Sequence, residues 1–417
     1  MSRVRSYGLP LVVVVISVAV AWWFWPRVHA ARAPLPLLLG TSRSDLDSIE
    51  AQARARLRAD PADGPAAVRM AEVLLRKARV YTDGAAAIEA ERVLEALLAR
   101  EPGEYSALKL LGAIYLSQHR FAAAADAARR AIAINPRDAW HYGVLGDAYV
   151  ELGRYDQAFE AFDTMVRLRP DAAAYARVAY ALELQGRLDE ALRHMRMAAE
   201  ATSAHDPEAL AWMHAQAGNL LFQMGRVDEA AVEFARASYV FPDHPYARAG
   251  AARVAAARGN YQGALTLYRA LLSEAPTPEL AAVVGDLLAR TGDADGARAM
   301  YEQAETIERE GWKTEEPQPA ALSRLLADRG RKIDDAVRLA EEAASGRADI
   351  FTMDALAWAY FQARRLPEAQ AASIRAMRTG TADHRIRCHA AAIERALRDR
   401  RAAVAHDVCA FEAWARG

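Results

Sequence analysis

At 417 residues the chain is longer than one compact core usually reaches, which leaves several domains or one elongated array. It is 53% hydrophobic and rich in Ala, Leu, Arg and Glu, a composition that favours helix over strand. Its 53 Lys+Arg balance 54 Asp+Glu, which excludes the strong basic field of a nucleic-acid binder.

Residues 1–8 form a basic tail carrying Arg3 and Arg5. Leu9 to Trp25 follows as a run of 17 residues without a charge, at the lower limit for a helix that spans a bilayer. Trp22, Trp23, Phe24 and Trp25 crowd its far end, where amphipathic rings prefer the membrane–water boundary. The aromatic cluster and Pro26 predict an uncleaved transmembrane anchor over 9–25, against the alternative of a signal segment cleaved near Val28-His29-Ala30. A short basic tail before an export-type segment predicts a cytoplasmic N-terminus. That topology makes the protein single-pass in the cell membrane, with its bulk on the periplasmic side; cleavage would make it secreted.

Residues 26–64 read as a juxtamembrane linker with a short helix. Pro26, Pro34, Pro36 and Gly40 keep its first part extended, and Ser44 with Asp47 opens an amphipathic stretch to about residue 60. From 65 to 417 a period takes over. Prolines recur at 102, 136, 170, 242 and 276, and glycines at 153, 186, 225, 259 and 292, both series stepping mostly by 33 or 34 residues. Within 105–171 one helical hairpin is written twice: Leu111 returns as Leu145, Gly112 as Gly146, Tyr115 as Tyr149, Ala124 as Ala158 and Pro136 as Pro170. Each proline stops a second helix, and Asp138, Asp171 and Asp243 stand where they can cap the next one. Each glycine can take positive φ between paired helices. A single hairpin buries too little apolar surface to fold alone, so neighbours must stack.

These positions resemble the tetratricopeptide repeat family. Gly112, Tyr115, Phe121, Ala124, Ala131 and Pro136, then Tyr142, Gly146, Tyr149, Tyr155, Ala158, Phe162 and Pro170, occupy its signature positions. Gly218, Ala230, Phe234, Ala237 and Pro242 continue the pattern, and later copies weaken; near 364 an Arg replaces the turn glycine. The resemblance implies an all-α, right-handed superhelical solenoid of about nine or ten hairpins after the N-terminal transmembrane helix. It also implies a general binding scaffold rather than one activity.

In such a scaffold the first helix of each hairpin lines a concave groove. Laying off the repeat places Lys109, Trp140, Asp147, Tyr180, Trp212, Asn219, Phe222, Tyr246, Arg253 and Trp358 there as candidate peptide-binding residues, with Glu183, Asp286 and Phe361 beside them. Rings interleaved with an amide, an Arg and acids suit an extended peptide or a partner's helix. The competing reading is that rings at hairpin starts, such as Trp140 and Trp212, pack against the preceding hairpin. Cys388, His389, His406 and Cys409 fall where one last hairpin would bring them to one level. Two thiols in helical packing, a disulfide clasp and a zinc site are the options, and the spacing matches no zinc signature.

No HExxH, GxSxG, GxxxxGK[ST] or GxGxxG occurs, so no catalytic, cofactor or metal residue is assigned. The expected function is a non-catalytic protein- or peptide-binding scaffold that recruits partners at the membrane and needs no cofactor. The alternatives are a self-assembling homo-oligomeric scaffold and an accessory subunit of an envelope enzyme or maturation complex. Nucleic acid is not an expected partner: residues 1–33 hold four Arg and no acid, which leaves 49 basic against 54 acidic residues beyond them.

Overall fold

Helix ends in this chain fall where its caps and glycines put them. The computed structural model describes residues 43–81, 84–204, 206–312 and 317–398, and among them it contains twenty helices and no strand. The basic tail, the apolar run 9–25 and the extended part of the linker lie outside the described residues. Among the described residues, no helix is long and apolar enough to cross a membrane.

The chain divides into two compact units that meet between Ala148 and Tyr149. The first contains α1 (Arg43–Ala59), α2 (Gly64–Tyr81), α3 (Gly84–Arg100), α4 (Tyr105–Ser117), α5 (Phe121–Ile134) and most of α6 (Ala139–Glu151). The short helix read as part of the linker is packed into this unit. Leu46 and Ala53 of α1 are buried, Lys77 pairs with Asp47 and Glu50, and Arg54 bonds Glu89 at 2.8 Å.

The second unit begins with α7 (Tyr155–Leu168), α8 (Ala172–Leu184), α9 (Leu188–Ala201), α10 (Pro207–Gln223), α11 (Val227–Val240), α12 (Pro245–Ala257) and α13 (Tyr261–Glu274). It continues with α14 (Pro278–Arg290), α15 (Ala294–Gly311), α16 (Pro319–Ala327), α17 (Ile333–Gly346), α18 (Ile350–Gln362), α19 (Leu366–Ala376) and α20 (His384–Arg398). Its starts follow cap chemistry. Asp171, Asp206, Thr277 and Asp349 each accept a backbone N–H of the first turn, satisfying a donor that the helix itself cannot. Asp243 does not cap: Pro245, preset for a first helical position, moves the cap to His244.

The expected turn glycines at 153, 186, 225, 259 and 292 all have positive φ, from 70 to 92°. Arg364, which replaces one of them, adopts φ 61° all the same. Between hairpins, small residues admit large ones. The Phe234 ring, 1% exposed, lies where a Cβ on Gly218 or Gly250 would come within 2.7 or 2.2 Å of it. Tyr301 fills the same space against Gly285.

One feature of the second unit has no trace in the period. Its first turns meet its last ones. Arg347 reaches Glu151 at 2.6 Å, the Tyr155 hydroxyl accepts the Ile350 N–H at 2.8 Å, and Arg378 donates to the Gly153 carbonyl at 2.5 Å. A Cβ on Gly186 would stand 2.5 Å from the Gly380 carbonyl oxygen. These contacts join residues about 200 positions apart and bend the unit back on itself.

Candidate functional site

The candidate groove residues fall into both units, and each unit is described by itself. In the first, Lys109 on α4 is tied to Asp138, Nζ to Oδ2 at 2.7 Å, and the Tyr105 hydroxyl donates to the same oxygen at 2.6 Å. Burial alone would raise the Asp138 carboxyl, but the Lys109 charge and these hydrogen bonds hold it at about 2. Trp140 and Asp147 on α6 are both buried, at 6% and 1% exposure. At this corner between consecutive hairpins Lys109 and Asp138 are therefore spent on each other.

In the second unit, Asn219 on α10 and Arg253 on α12 are half-exposed. Trp212, Gln216, Asn219 and Gln223 follow one stripe of α10, at steps of four, three and four. Trp212 is mostly buried and Phe222 wholly so, which gives them to packing. Asn219 stays half-buried and accepts a hydrogen bond from Arg253 of the next hairpin at 3.3 Å, across one full repeat of 34 residues. The Arg253 guanidinium lies over the Phe222 ring at 5.1 Å and has no carboxylate partner among the described residues. Tyr246, half-buried, packs against Ala211, Ala215, Ala237 and Ala247. Behind them Trp212 Nε1, Gln216 Nε2 and Gln223 Oε1 are sealed from solvent without a hydrogen-bond partner. Leaving such groups unpaired costs about 1–3 kcal/mol each.

Tyr180 and Glu183 on α8 sit where the unit bends back. Burial, together with Asp383 as a like charge, raises the Glu183 carboxyl to about 7. Unfolded, the same group releases its proton near 4.5, so between these values the folded state binds the extra proton. Stability from this group is fully present below about pH 4.5 and is lost as pH rises to about 7, a change of about 3 kcal/mol. Glu183→Gln should flatten that slope. Urea unfolding at about pH 5 and about pH 8 measures it, and identical pH dependence in variant and wild type would refute the assignment.

Trp358, another candidate, is 1% exposed and belongs to a polar lock between α16, α18 and α20. Its indole stacks on His389, centroids 3.9 Å apart at 9°. His389 Nδ1 faces both oxygens of Asp354 at 3.0 Å, and Nε2 lies 3.8 Å from Asp328 Oδ1. Beside it Arg329 clamps Asp286 at 2.8 and 3.0 Å, with the Tyr301 hydroxyl donating to the same carboxylate. Cys388 is half-buried against this core; His406 and Cys409 lie outside the described residues.

Paired helices of this length, small-residue seats for aromatic rings and positive-φ turns at one repeat define a helical-repeat scaffold. Models described as tetratricopeptide repeat match residues 75–139 and 144–207, 127–160, and 221–287. The chain belongs to the tetratricopeptide-repeat family, whose members generally mediate protein–protein interaction and are typically non-catalytic. No curated protein matches it by sequence. Among solved structures it is similar to the human IFIT1 dimer with PPP-AAAA, at 16% identity and TM-score 0.51, covering 81% of this chain and 78% of that one. The IFIT1 dimer with m7Gppp-AAAA gives the same identity and TM-score over 81% and 77%. Yeast Tom70 superposes more loosely, at TM-score 0.44 and 15% identity over 87% and 88%. At these identities the likeness is one of fold.

Proposed function

We propose that this protein is a non-catalytic scaffold that captures a protein or peptide partner on the inner face of its second unit. The apolar run 9–25 holds it in the cell membrane with the repeats on the periplasmic side. The observation that carries the reading is the Asn219–Arg253 pair: half-exposed, one repeat apart, with a guanidinium that pairs with no carboxylate among the described residues. An amide and a guanidinium held together in this way can offer their remaining donors to a peptide carbonyl and an acidic group of an extended partner. An acidic balance beyond the leader argues against nucleic acid as the occupant.

The test uses the full-length chain in its membranes. Asn219→Ala with Arg253→Ala should lower recovery of co-purifying proteins at least about tenfold, the effect of losing about 1.4 kcal/mol or more of binding. Its melting temperature should stay near wild type, because both side chains are partly exposed. Wild-type recovery by the double variant would sink the groove reading. Release of the wild-type chain from membranes by alkaline carbonate would sink the anchor.

A further inference from the structure

The second unit is held closed by a seam unlike its other joints. Its neighbouring hairpins pack helix on helix. Among the described residues neither α7 nor α8 packs along a helix of the last hairpins; turns and helix ends meet there instead. Arg347 is spent on Glu151 and Asp349, at 2.6 and 3.2 Å, and Arg378 on the Gly153 and Ala348 carbonyls, at 2.5 and 2.8 Å. Polar point contacts of this kind hold less firmly than stacked apolar faces. A second pair of turns stands beside the first. A Cβ on Gly186 would lie 2.5 Å from the Gly380 carbonyl oxygen and 3.2 Å from the Ala382 nitrogen. That contact sets Glu183, in the last turn of α8, against Asp383, which caps α20 by accepting the Ile386 N–H at 2.9 Å. Both acids are half-buried, and they belong to opposite sides of the seam.

We propose that this seam is a pH-operated gate, closed while Glu183 holds its proton and opened, with every hairpin intact, when Glu183 and Asp383 are both charged. Asp383 cannot turn away without uncapping α20. The other groups here do not neutralise Glu183, on which Asp383 is the charge that acts. Tyr180, one turn earlier on α8, is kept protonated by its burial. Glu151 and Asp349 share Arg347, Arg378 lies over the Tyr155 ring at 5.0 Å, and His384 and Arg385 follow Asp383 on α20. Burial and then Asp383 raise the Glu183 carboxyl to about 7, so its proton leaves near neutrality. Parting the turns is then the movement that hydrates both carboxylates. Arg378 carries the movement to the rest of the seam, because it stands two residues before Gly380 and holds Gly153 and Ala348. A solenoid turn that opens at one seam lets an extended partner enter or leave sideways instead of threading through.

The Ile350 amide reports the opening. As the first residue of α18 it has no acceptor in that helix, and the Tyr155 hydroxyl across the seam accepts its N–H at 2.8 Å. The Thr352 N–H, bonded to Asp349 Oδ1 at 2.9 Å, stays within its own cap and serves as the control. Hydrogen exchange of the full-length protein, resolved to single residues by fragmentation mass spectrometry, gives each protection relative to the unfolded chain at the same pH. Ile350 protection should fall about tenfold between about pH 6 and about pH 8, while Thr352 protection holds. That ratio follows from a carboxyl at about 7 with the seam closed and 4.5 with it open. Glu183→Gln, neutral throughout, should keep Ile350 protected at about pH 8. Asp383→Asn keeps a capping oxygen and removes the charge, so it should shrink the fall, and it decides the matter if Glu183→Gln does not fold. An undiminished fall in these variants would assign the titration to another group, such as His384, and overturn the proposal. So would an Ile350 protection independent of pH in the wild type, or an equal fall at Thr352, which is fraying of α18 and not gating. No partner is present in the measurement, and Asn219→Ala with Arg253→Ala should leave it unchanged, so failure of the groove reading and failure of the gate are separable.

Discussion

Replacing His389 with Ala is expected to cost about 3–5 kcal/mol and to loosen the last hairpins first. The imidazole is fully buried between Asp354 at 3.0 Å and Asp328 at 3.8 Å, and it carries the Trp358 ring on its face. Without it, the Asp354 carboxylate loses the ring nitrogen that faces both its oxygens in a dry interior, and Asp328, still paired with Arg329 at 3.2 Å, loses the second ring nitrogen 3.8 Å away. The indole also loses a stacking surface. Chemical denaturation of the variant measures the loss, and hydrogen exchange locates it to α16, α18 and α20. His389→Ala combined with Asp354→Ala should cost clearly less than the sum of the single changes, because the pair acts as one unit. A loss under about 1 kcal/mol would mean the lock does not hold these helices together.

Gly186→Ala is expected to be the most damaging of the turn-glycine substitutions after Gly153→Ala. At Gly225, Gly259 and Gly292 an added Cβ meets nothing within 4 Å, so Ala there should cost only the strain of positive φ, about 1–2 kcal/mol. At Gly186 the Cβ would stand 2.5 Å from the Gly380 carbonyl oxygen, and at Gly153 2.5 Å from the Ala348 carbonyl. Rigid backbone on the far side cannot yield as a side-chain end would. The chain must therefore part there, at about 1–3 kcal/mol beyond the strain. The comparison of Gly186→Ala with Gly225→Ala isolates the contact that bends the second unit back, since both remove the same positive-φ glycine. Equal losses in the two variants would mean that the first and last turns of this unit do not touch in solution.

Much of the array was legible because its marks are local. Pro136 ends a helix by lacking an N–H, Asp171 begins one by accepting an N–H three residues on, and Gly225 turns the chain because it alone has no Cβ. The site was legible only in part. The repeat gives Asn219 and Arg253 equivalent places one unit apart, and the structure brings their side chains together. It names Lys109, Phe222 and Trp358 on the same footing, although Asp138 occupies the first and packing takes the other two. A repeat position states which way a side chain points; it does not state what already stands in front of it.

The amino-acid sequence by itself determined the element type, the length of each hairpin and the register that ranks positions as packing or inner-face. These depend on backbone sterics and on apolar spacing within about 34 residues. Only the tertiary structure decided which inner-face charges are spent. It set Arg347 against Glu151, raised Glu183 beside Asp383, and locked His389 between Asp354 and Asp328. The reason is physical. Small rotations between successive hairpins add up over many units, and their sum fixes which distant residues meet, whereas no single repeat records it.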